Sequence, residues 1–341
     1  MRIFLNNLRN FATLITLVAT LFVATPVVAH DYIDSTSTAS YGSPAQPRRT
    51  AIEPSGDSDL ECLSAQSWLM VDGRTGKVLS TKNADRVMYP ASMTKMMTCI
   101  LAVESDRLND TVTISRNAAS TPYGKVHQGE RFVLRNLLDV MMLDSDNGAA
   151  TAISEFLGDS TKTFITKMNE KAKSLGMKNT RFANPHGLHD QNHYTTASDI
   201  MLLERYCMQN PTFASIVSQA SKDVPLASPS GRVRHCNNTN KLLTTYDGAV
   251  GCKTGYTRPA GGCLASCAVR NDLQVFLVVM NCTPARQRMS ESAVLLDKGF
   301  DMAQKSLLED RRKATSKPPV PPRAKKPHES QKPVPERRKK K

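Results

Sequence analysis

The chain has 341 residues, 40% of them hydrophobic, enough for one large core or two modest ones. Its formal charge of +14 would suggest a polyanionic partner, but 13 Lys or Arg and two acids lie between Arg311 and Lys341, so that tail carries +11 and the preceding chain only +3. With 6% aromatic residues and a single tryptophan, Trp68, the body offers no stacking platform for bases, which argues against nucleic acid as a partner.

At the N-terminus, Arg2 and Arg9 precede an apolar run from Phe11 to Val23, and Val27-Val28-Ala29 supplies small residues before His30. This predicts a cleaved secretory signal peptide over 1–29; the alternative is an uncleaved anchor, since about twenty apolar residues span a bilayer. Either places the body outside the cytoplasm, in the periplasm or cell envelope. Residues 30–58, rich in Ser, Thr, Pro and Gly, read as a linker. A folded unit is expected over 59–308. It opens with a hairpin, Trp68 to Val71 and Lys77 to Ser80 around Asp72-Gly73.

A buried helix follows over Ser92 to Val103, where Met93, Met96, Met97, Ile100 and Val103 recur at three and four. Leu134 to Leu143, Phe164 to Leu175 and Thr196 to Met208 read as further helices. Val250 to Tyr256, Gly262 to Arg270 and Leu273 to Asn281 are strand-like, and Ser290 to Met302 closes the fold as a helix. The plan is α/β, with a mainly antiparallel sheet joining both ends of the chain, flanked by helices and carrying a helical subdomain. The residues from 309 onward, with seven prolines among the basic side chains, predict a disordered tail. The eight cysteines could pair in an exported chain, but Cys99, Cys252, Cys263 and Cys267 stand where apolar residues belong and read as small buried thiols.

Three short motifs carry chemistry. Ser92 and Lys95 share one face of a first helical turn, so a neutral Lys95 amine could take the Ser92 proton and free backbone N–H groups at the helix start could face an oxyanion. Ser145-Asp146-Asn147 falls between two helices, where a hydroxyl and an amide could relay a proton and hold a substrate amide. Lys253-Thr254-Gly255 sits on a late strand, where Gly255 lets a substrate backbone approach closely. Each alone is unremarkable. In this order they form the set shared by penicillin-binding proteins and class A β-lactamases.

The surrounding blocks narrow the resemblance. Tyr89-Pro90-Ala91-Ser92-Met93-Thr94-Lys95-Met96-Met97-Thr98, Asn184-Pro185-His186-Gly187-Leu188, His193-Tyr194-Thr195-Thr196-Ala197, Asn240-Lys241-Leu242-Leu243 and Gly251-Cys252-Lys253-Thr254-Gly255-Tyr256-Thr257 closely resemble the low-molecular-mass D-alanyl-D-alanine carboxypeptidases, over roughly Ala65 to Gln304. The resemblance implies the penicillin-binding, β-lactamase-like transpeptidase fold. It also implies a serine acyl-enzyme that acts on peptidoglycan stem peptides ending in D-Ala-D-Ala and is acylated by β-lactams. It assigns Ser92 as nucleophile, Lys95 as general base, Ser145 as proton relay and Asn147 as substrate-amide contact. Lys253 and Thr254 would bind the terminal carboxylate of the substrate or of a β-lactam, and the N–H groups of Ser92 and Tyr256 would form the oxyanion hole. Arg288, in the loosely patterned Arg286 to Ser292 block, matches a carboxylate-binding arginine.

No cofactor is implied. A rival metal site from His186, His189, His193 and Asp190 would need a helix, which Pro185 and Gly187 oppose. Among competing activities, a class A β-lactamase needs a Glu-x-x-Leu-Asn block that is absent between Asn147 and Lys253; a D,D-endopeptidase and an idle peptidoglycan-binding module remain as alternatives. The chain departs from the best-known members at its end, where these carry a second, all-β domain and a membrane-lying amphipathic helix. The basic tail could substitute by attracting anionic lipid or wall polymer.

Overall fold

The computed structural model describes residue 60 and residues 62–315. The expected leader (1–29), the linker (30–58) and the tail beyond Thr315 lie outside the described residues.

The opening hairpin forms as expected, with β1 (Ser67–Asp72) and β2 (Val78–Lys82) antiparallel. Its turn is held by Asp72, whose Oδ1 accepts the N–H groups of Arg74 at 2.8 Å and Thr75 at 3.1 Å. The three late strands are β7 (Ala249–Thr257), β8 (Gly261–Arg270) and β9 (Leu273–Cys282). All five join one antiparallel sheet in the order β2-β1-β9-β8-β7, so the opening hairpin and the late strands meet where β1 pairs with β9. Among the described residues, the outer edge of β7 has no strand neighbour.

Alternation along these strands divides the interior into two cores. Leu69, Val71, Ala265, Cys267, Phe276 and Val278 face one cluster; Trp68, Met70, Leu264, Ala268, Leu277 and Val279 face the other. The second is closed by α9 (Gln287–Thr315) through Leu295, Leu296, Phe300 and Ala303. The first is covered by the helical subdomain, built around α1 (Lys95–Val103), of whose nine residues only Leu101 is not fully buried. A helix enclosed on every side must be apolar all round, and Met96, Met97, Cys99 and Ile100 make it so. The buried lysine at its head is therefore an exception that calls for a reason.

Around α1 stand α3 (Leu134–Leu143), α4 (Asn147–Gly158), α5 (Thr161–Ser174) and α6 (Ala197–Met208), with the short α2 (Arg116–Ala119), α7 (Pro211–Val217) and α8 (Leu242–Thr245) at the periphery. Two small hairpins escape sequence reading: β3 (Thr111–Thr113) with β4 (Arg131–Val133), and β5 (Ser221–Pro225) with β6 (Val233–Asn237). In β5 and β6 only Val224 and Cys236 are buried, so no apolar alternation marks them.

Two expectations need correction. The 309 boundary fails because α9 runs on through Thr315; the stretch after Leu308 lacks proline until Pro318, and Arg312 and Lys313 complement the dipole of its last turn. The helix expected from Ser92 begins as a 3-10 turn, Ala91–Thr94, that passes into α1 at Lys95. The segment from Asn184 to Asn192 is a loop, in keeping with Pro185 and Gly187. Cys99, Cys207, Cys236, Cys252, Cys263, Cys267 and Cys282 are buried thiols, and burial raises those of Cys263 to about 11 and Cys236 to about 12, which keeps them protonated and unreactive at neutral pH.

The junction between α3 and α4 is fixed from β6. Arg234 Nη2 lies 3.1 Å from Asp146 Oδ2 and 3.3 Å from Asp144 Oδ2, while Asp146 Oδ1 caps α4 by accepting the Ala149 N–H at 2.9 Å. The Asp146 side chain has no solvent exposure. Arg234→Ala would strand two shielded carboxylates, and we expect a loss of about 2–3 kcal/mol, measured as a lower urea midpoint at pH 7. A variant as stable as the parent would show that these pairs do not hold the junction.

Candidate active site

The 3-10 turn bearing Ser92 is held in a strained shape. Ala91 has φ +47°, a region that side chains other than glycine enter at a cost. Thr94 Oγ1 donates to Ala91 O at 2.8 Å and lies 2.7 Å from His193 Nε2. His193 Nδ1 accepts the Ala183 N–H at 3.0 Å, so the ring proton resides on Nε2 and is given to Thr94. Burial lowers the His193 pKa to about 4, which keeps the ring neutral and the relay intact. His193 is thus a support for the serine turn.

The loop after α5 serves the same turn. Thr98 Oγ1 donates to Pro185 O at 2.6 Å and Lys95 Nζ donates to His186 O at 2.7 Å, so two consecutive carbonyls are clamped onto α1. Asn184 Oδ1 accepts the Gly187 N–H at 2.7 Å and its Nδ2 donates to Leu188 O at 2.9 Å, closing the loop on itself. Gly187 has φ +91°, and a Cβ there would lie 1.9 Å from Ala91 O; only glycine permits this approach. The His186 imidazole, lowered to about 3 by burial and then by Lys95, accepts the Leu188 N–H at 3.2 Å. With these partners, His186 and His193 are engaged within the fold, and no set of three metal-ligating side chains converges among the described residues.

Lys95 Nζ lies 3.0 Å from Ser92 Oγ, 2.7 Å from Asn147 Oδ1 and 2.7 Å from His186 O. The side chain is fully buried. Burial above all, then the Lys253 ammonium, holds its pKa well below the usual lysine range, with Asp146 opposing. Asn147, first residue of α4, is locked in turn: its Nδ2 donates to Pro122 O at 2.7 Å. Ser145 sits between α3 and α4 in a left-handed conformation, φ +58°, which turns it toward the cleft that Ser92 and Asn147 also line.

The opposite wall is β7. Gly255 allows the strand to run against the serine turn, since a Cβ there would lie 3.2 Å from Ser92 N and 3.0 Å from Pro90 O. Thr254, Gly255 and Tyr256 line the cleft, whose volume is about 640 Å³. Lys253 does not reach into it; the residue is 1% exposed, and its Nζ donates to Thr254 O at 3.2 Å. Burial and then Arg288 bring its pKa down to about 7. Arg288, from the start of α9, lines the cleft and donates through Nη1 to Gly255 O at 3.4 Å, while its buried Nε has no hydrogen-bond partner.

Ser92, Ser145, Asn147, Thr254, Gly255, Tyr256 and Arg288 line one cleft, and Lys95 and Lys253 are buried beside it. Sequence reasoning missed Thr239, whose Oγ1 lies 2.6 Å from Thr254 Oγ1, and the 122–125 loop, where Tyr123 stands 83% exposed over the cleft. It also missed the role of the His186 carbonyl, which no side-chain pattern could announce. Lys253 and Arg288 place two basic groups beside the Ser92–Lys95 pair, with Asp146 as the neighbouring acid, an electrostatic deficit that suits an anionic ligand.

Comparison with known proteins agrees with this geometry. The D-alanyl-D-alanine carboxypeptidase family, peptidase S11, matches residues 53–283. D-alanyl-D-alanine carboxypeptidase DacF of Bacillus subtilis is 32% identical over 74% of this chain and 66% of its own length. A D-alanyl-D-alanine endopeptidase of Pseudomonas aeruginosa is 33% identical over 64% of this chain and 72% of its own. The crystal structure of D-alanyl-D-alanine carboxypeptidase DacD from Francisella tularensis aligns at a TM-score of 0.66 with 33% identity, covering 74% of this chain and 73% of that one. With the fold, the order of its motifs and the family match in accord, this chain belongs to the D-alanyl-D-alanine carboxypeptidase family of serine peptidases.

Proposed function

We propose that this protein is an exported serine D,D-carboxypeptidase that removes the terminal D-alanine from peptidoglycan stem pentapeptides and is acylated by β-lactams at Ser92. The observation that carries the reading is the environment of the Lys95 amine. A neutral amine has two hydrogens and one lone pair. Asn147 Oδ1 and His186 O, both at 2.7 Å, accept the two hydrogens, so the lone pair is left for the Ser92 hydroxyl at 3.0 Å. Burial and Lys253 favour that neutral form, which makes Lys95 a base at neutral pH.

The reaction follows from these positions. Ser92 Oγ attacks the carbonyl of the penultimate D-alanine as its proton passes to Lys95 Nζ. The N–H groups of Ser92 and Tyr256 receive the oxyanion. The proton moves on through Ser145 to the amine of the leaving D-alanine as the C–N bond breaks, and water then hydrolyses the Ser92 ester with Lys95 again taking the proton. Thr254 and Arg288 bind the terminal carboxylate directly and Lys253 supports it through its charge, while Asn147 positions Lys95 and contacts the substrate amide. The free edge of β7 offers backbone groups along which an extended peptide can lie.

Two features outside the cleft complete the reading. The apolar segment ending at Ala29 directs export to the periplasm or cell envelope, where the substrate lies, and the basic residues from Arg311 to Lys341 draw the enzyme to anionic lipid or wall polymer.

Penicillin should label Ser92 alone in a tryptic map of the adduct, and Lys95→Ala should slow acylation by about a thousandfold while preserving the fold. A label on another serine, or an unchanged acylation rate, would remove the assignment. For Lys253 the sign is fixed by its lowered pKa: the amine is charged below about 7 and loses its proton above it. KM for a peptide with a free terminal carboxylate should therefore rise with pH through that value, and Lys253→Arg should flatten the rise. A C-terminally amidated peptide should show no such dependence, and an equal rise for both peptides would refute the role.

The tail makes a separate claim. Truncation after Thr315 should leave hydrolysis of a soluble pentapeptide unchanged but weaken binding to anionic vesicles, and 1 M salt, which shortens the Debye length to about 3 Å, should do the same to the full chain. Binding that survives both treatments would assign attachment to another surface.

A further inference from the structure

The function proposed above lays the substrate along the free edge of β7, and the present inference rests on that reading. The terminal carboxylate is held at Thr254 and Arg288, and the scissile carbonyl meets the N–H groups of Ser92 and Tyr256. The residues upstream of D-alanyl-D-alanine must therefore run past Tyr256 in the direction opposite to β7, toward Thr257 and Arg258, which also line the cleft. At about 3.4 Å per residue, Arg258 stands about 7 Å beyond Tyr256, level with the second and third residues of a stem peptide.

Arg258 is exposed, and among the described residues it makes no ion pair and its side chain donates no hydrogen bond. Its backbone is nevertheless fixed, because the Ala260 N–H closes the turn on Thr257 O at 3.1 Å. One acid lines the cleft, Asp144, and its carboxylate is engaged by Arg234 at 3.3 Å and by the Asn237 N–H at 3.0 Å. Asp144 and Arg288 also border a second cavity that Arg258 does not touch. The guanidinium at the upstream end of the cleft is thus left without an anion.

Tyr123 lines the cleft from the other wall. It is 83% exposed and adopts φ +60°, a conformation that costs a residue other than glycine. The backbone on either side of it is clamped to α4: Pro122 O accepts from Asn147 Nδ2 at 2.7 Å, and the Lys125 N–H donates to Asp146 Oδ2 at 2.8 Å. A ring that packs on nothing in its own fold is therefore held out over the cleft by a fixed loop. Such a ring offers apolar area to a bound chain at small cost in entropy.

We propose that Arg258 and Tyr123 form a subsite for the acyl-donor strand, in which Arg258 pairs with a carboxylate upstream of D-alanyl-D-alanine and the Tyr123 ring covers that stretch of chain. Two groups supply this chemistry in a stem peptide: a free carboxyl on the side chain of the third residue, and the α-carboxyl of a γ-linked second residue. Arg258 is then a specificity-determining residue, since it separates donor strands that carry the charge from those that do not.

The test follows hydrolysis of four soluble pentapeptides by the full chain: one with meso-diaminopimelate at the third position, the same peptide amidated at that residue's free side-chain carboxyl, the same amidated at the second residue's α-carboxyl, and one amidated at both. Double amidation should lower kcat/KM of the parent by about tenfold, mainly through KM, and the single amidation that reproduces the loss identifies the carboxylate. Arg258→Glu should lose about tenfold on the unmodified peptide yet stay within about twofold of the parent on the doubly amidated one. Tyr123→Ala should raise KM by about fivefold on all four. Both variants should keep the rate of Ser92 acylation by penicillin within about twofold, which shows the reacting groups intact. The subsite is overturned if the parent cleaves all four peptides equally, if Arg258→Glu matches the parent on the unmodified peptide or loses equally on the doubly amidated one, if Tyr123→Ala leaves KM unchanged, or if acylation falls along with hydrolysis. A parent that hydrolyses none of the peptides would instead bring down the reading of the cleft itself, and the subsite with it.

Discussion

The structure is organised around one buried amine. A lysine enclosed at the head of an apolar helix is costly unless its hydrogens are accepted, and here the acceptors come from segments far apart in sequence: the Asn147 side chain and the His186 carbonyl, with Ser92 completing the set. Meeting that requirement ties α4 and the Asn184 to Leu188 loop to α1. The same contacts that satisfy Lys95 also orient it toward the serine, so the solution to a folding problem is the assembly of the reactive pair.

Each neighbour is then fixed by its own support. Asp146 caps α4 and is paired with Arg234 from β6, which sets where Asn147 begins. His193 holds Thr94, and Thr94 holds Ala91 O in the strained turn. Gly187 and Gly255 let two backbones close on that turn from opposite sides. Rigid side chains carrying second interactions of this kind keep a nucleophile and its base within reacting distance before substrate arrives. The basic groups of Lys253 and Arg288 differ, since they leave the cleft short of an anion.

Much of this was legible beforehand. The 3.6-residue pattern of Met93, Met96, Met97, Ile100 and Val103 located the central helix, and the strand-like runs after Gly248 located the sheet's late strands, because both elements bury apolar faces with a strong period. The small hairpins were invisible since each strand of the β5–β6 pair buries one residue. The end of α9 was misplaced because charged residues continue a surface helix as readily as they form a tail, and only the later prolines forbid it.

The sequence by itself determined the family and the pairing of Ser92 with Lys95, because these two are local: residues three apart on a helical turn meet wherever that helix lies. It also determined that Ser145 stands between helices, though Asn147 proves to be the first residue of α4, and that Lys253 to Gly255 lie on a strand. What only the tertiary structure decided is what these groups touch. That the His186 carbonyl accepts from Lys95, that Lys253 lies behind the cleft wall, and that Lys241 and Arg286 gather beside Arg288 all depend on packing between segments remote in the chain. No spacing in a sequence encodes a backbone carbonyl's partner or the depth at which a side chain is buried.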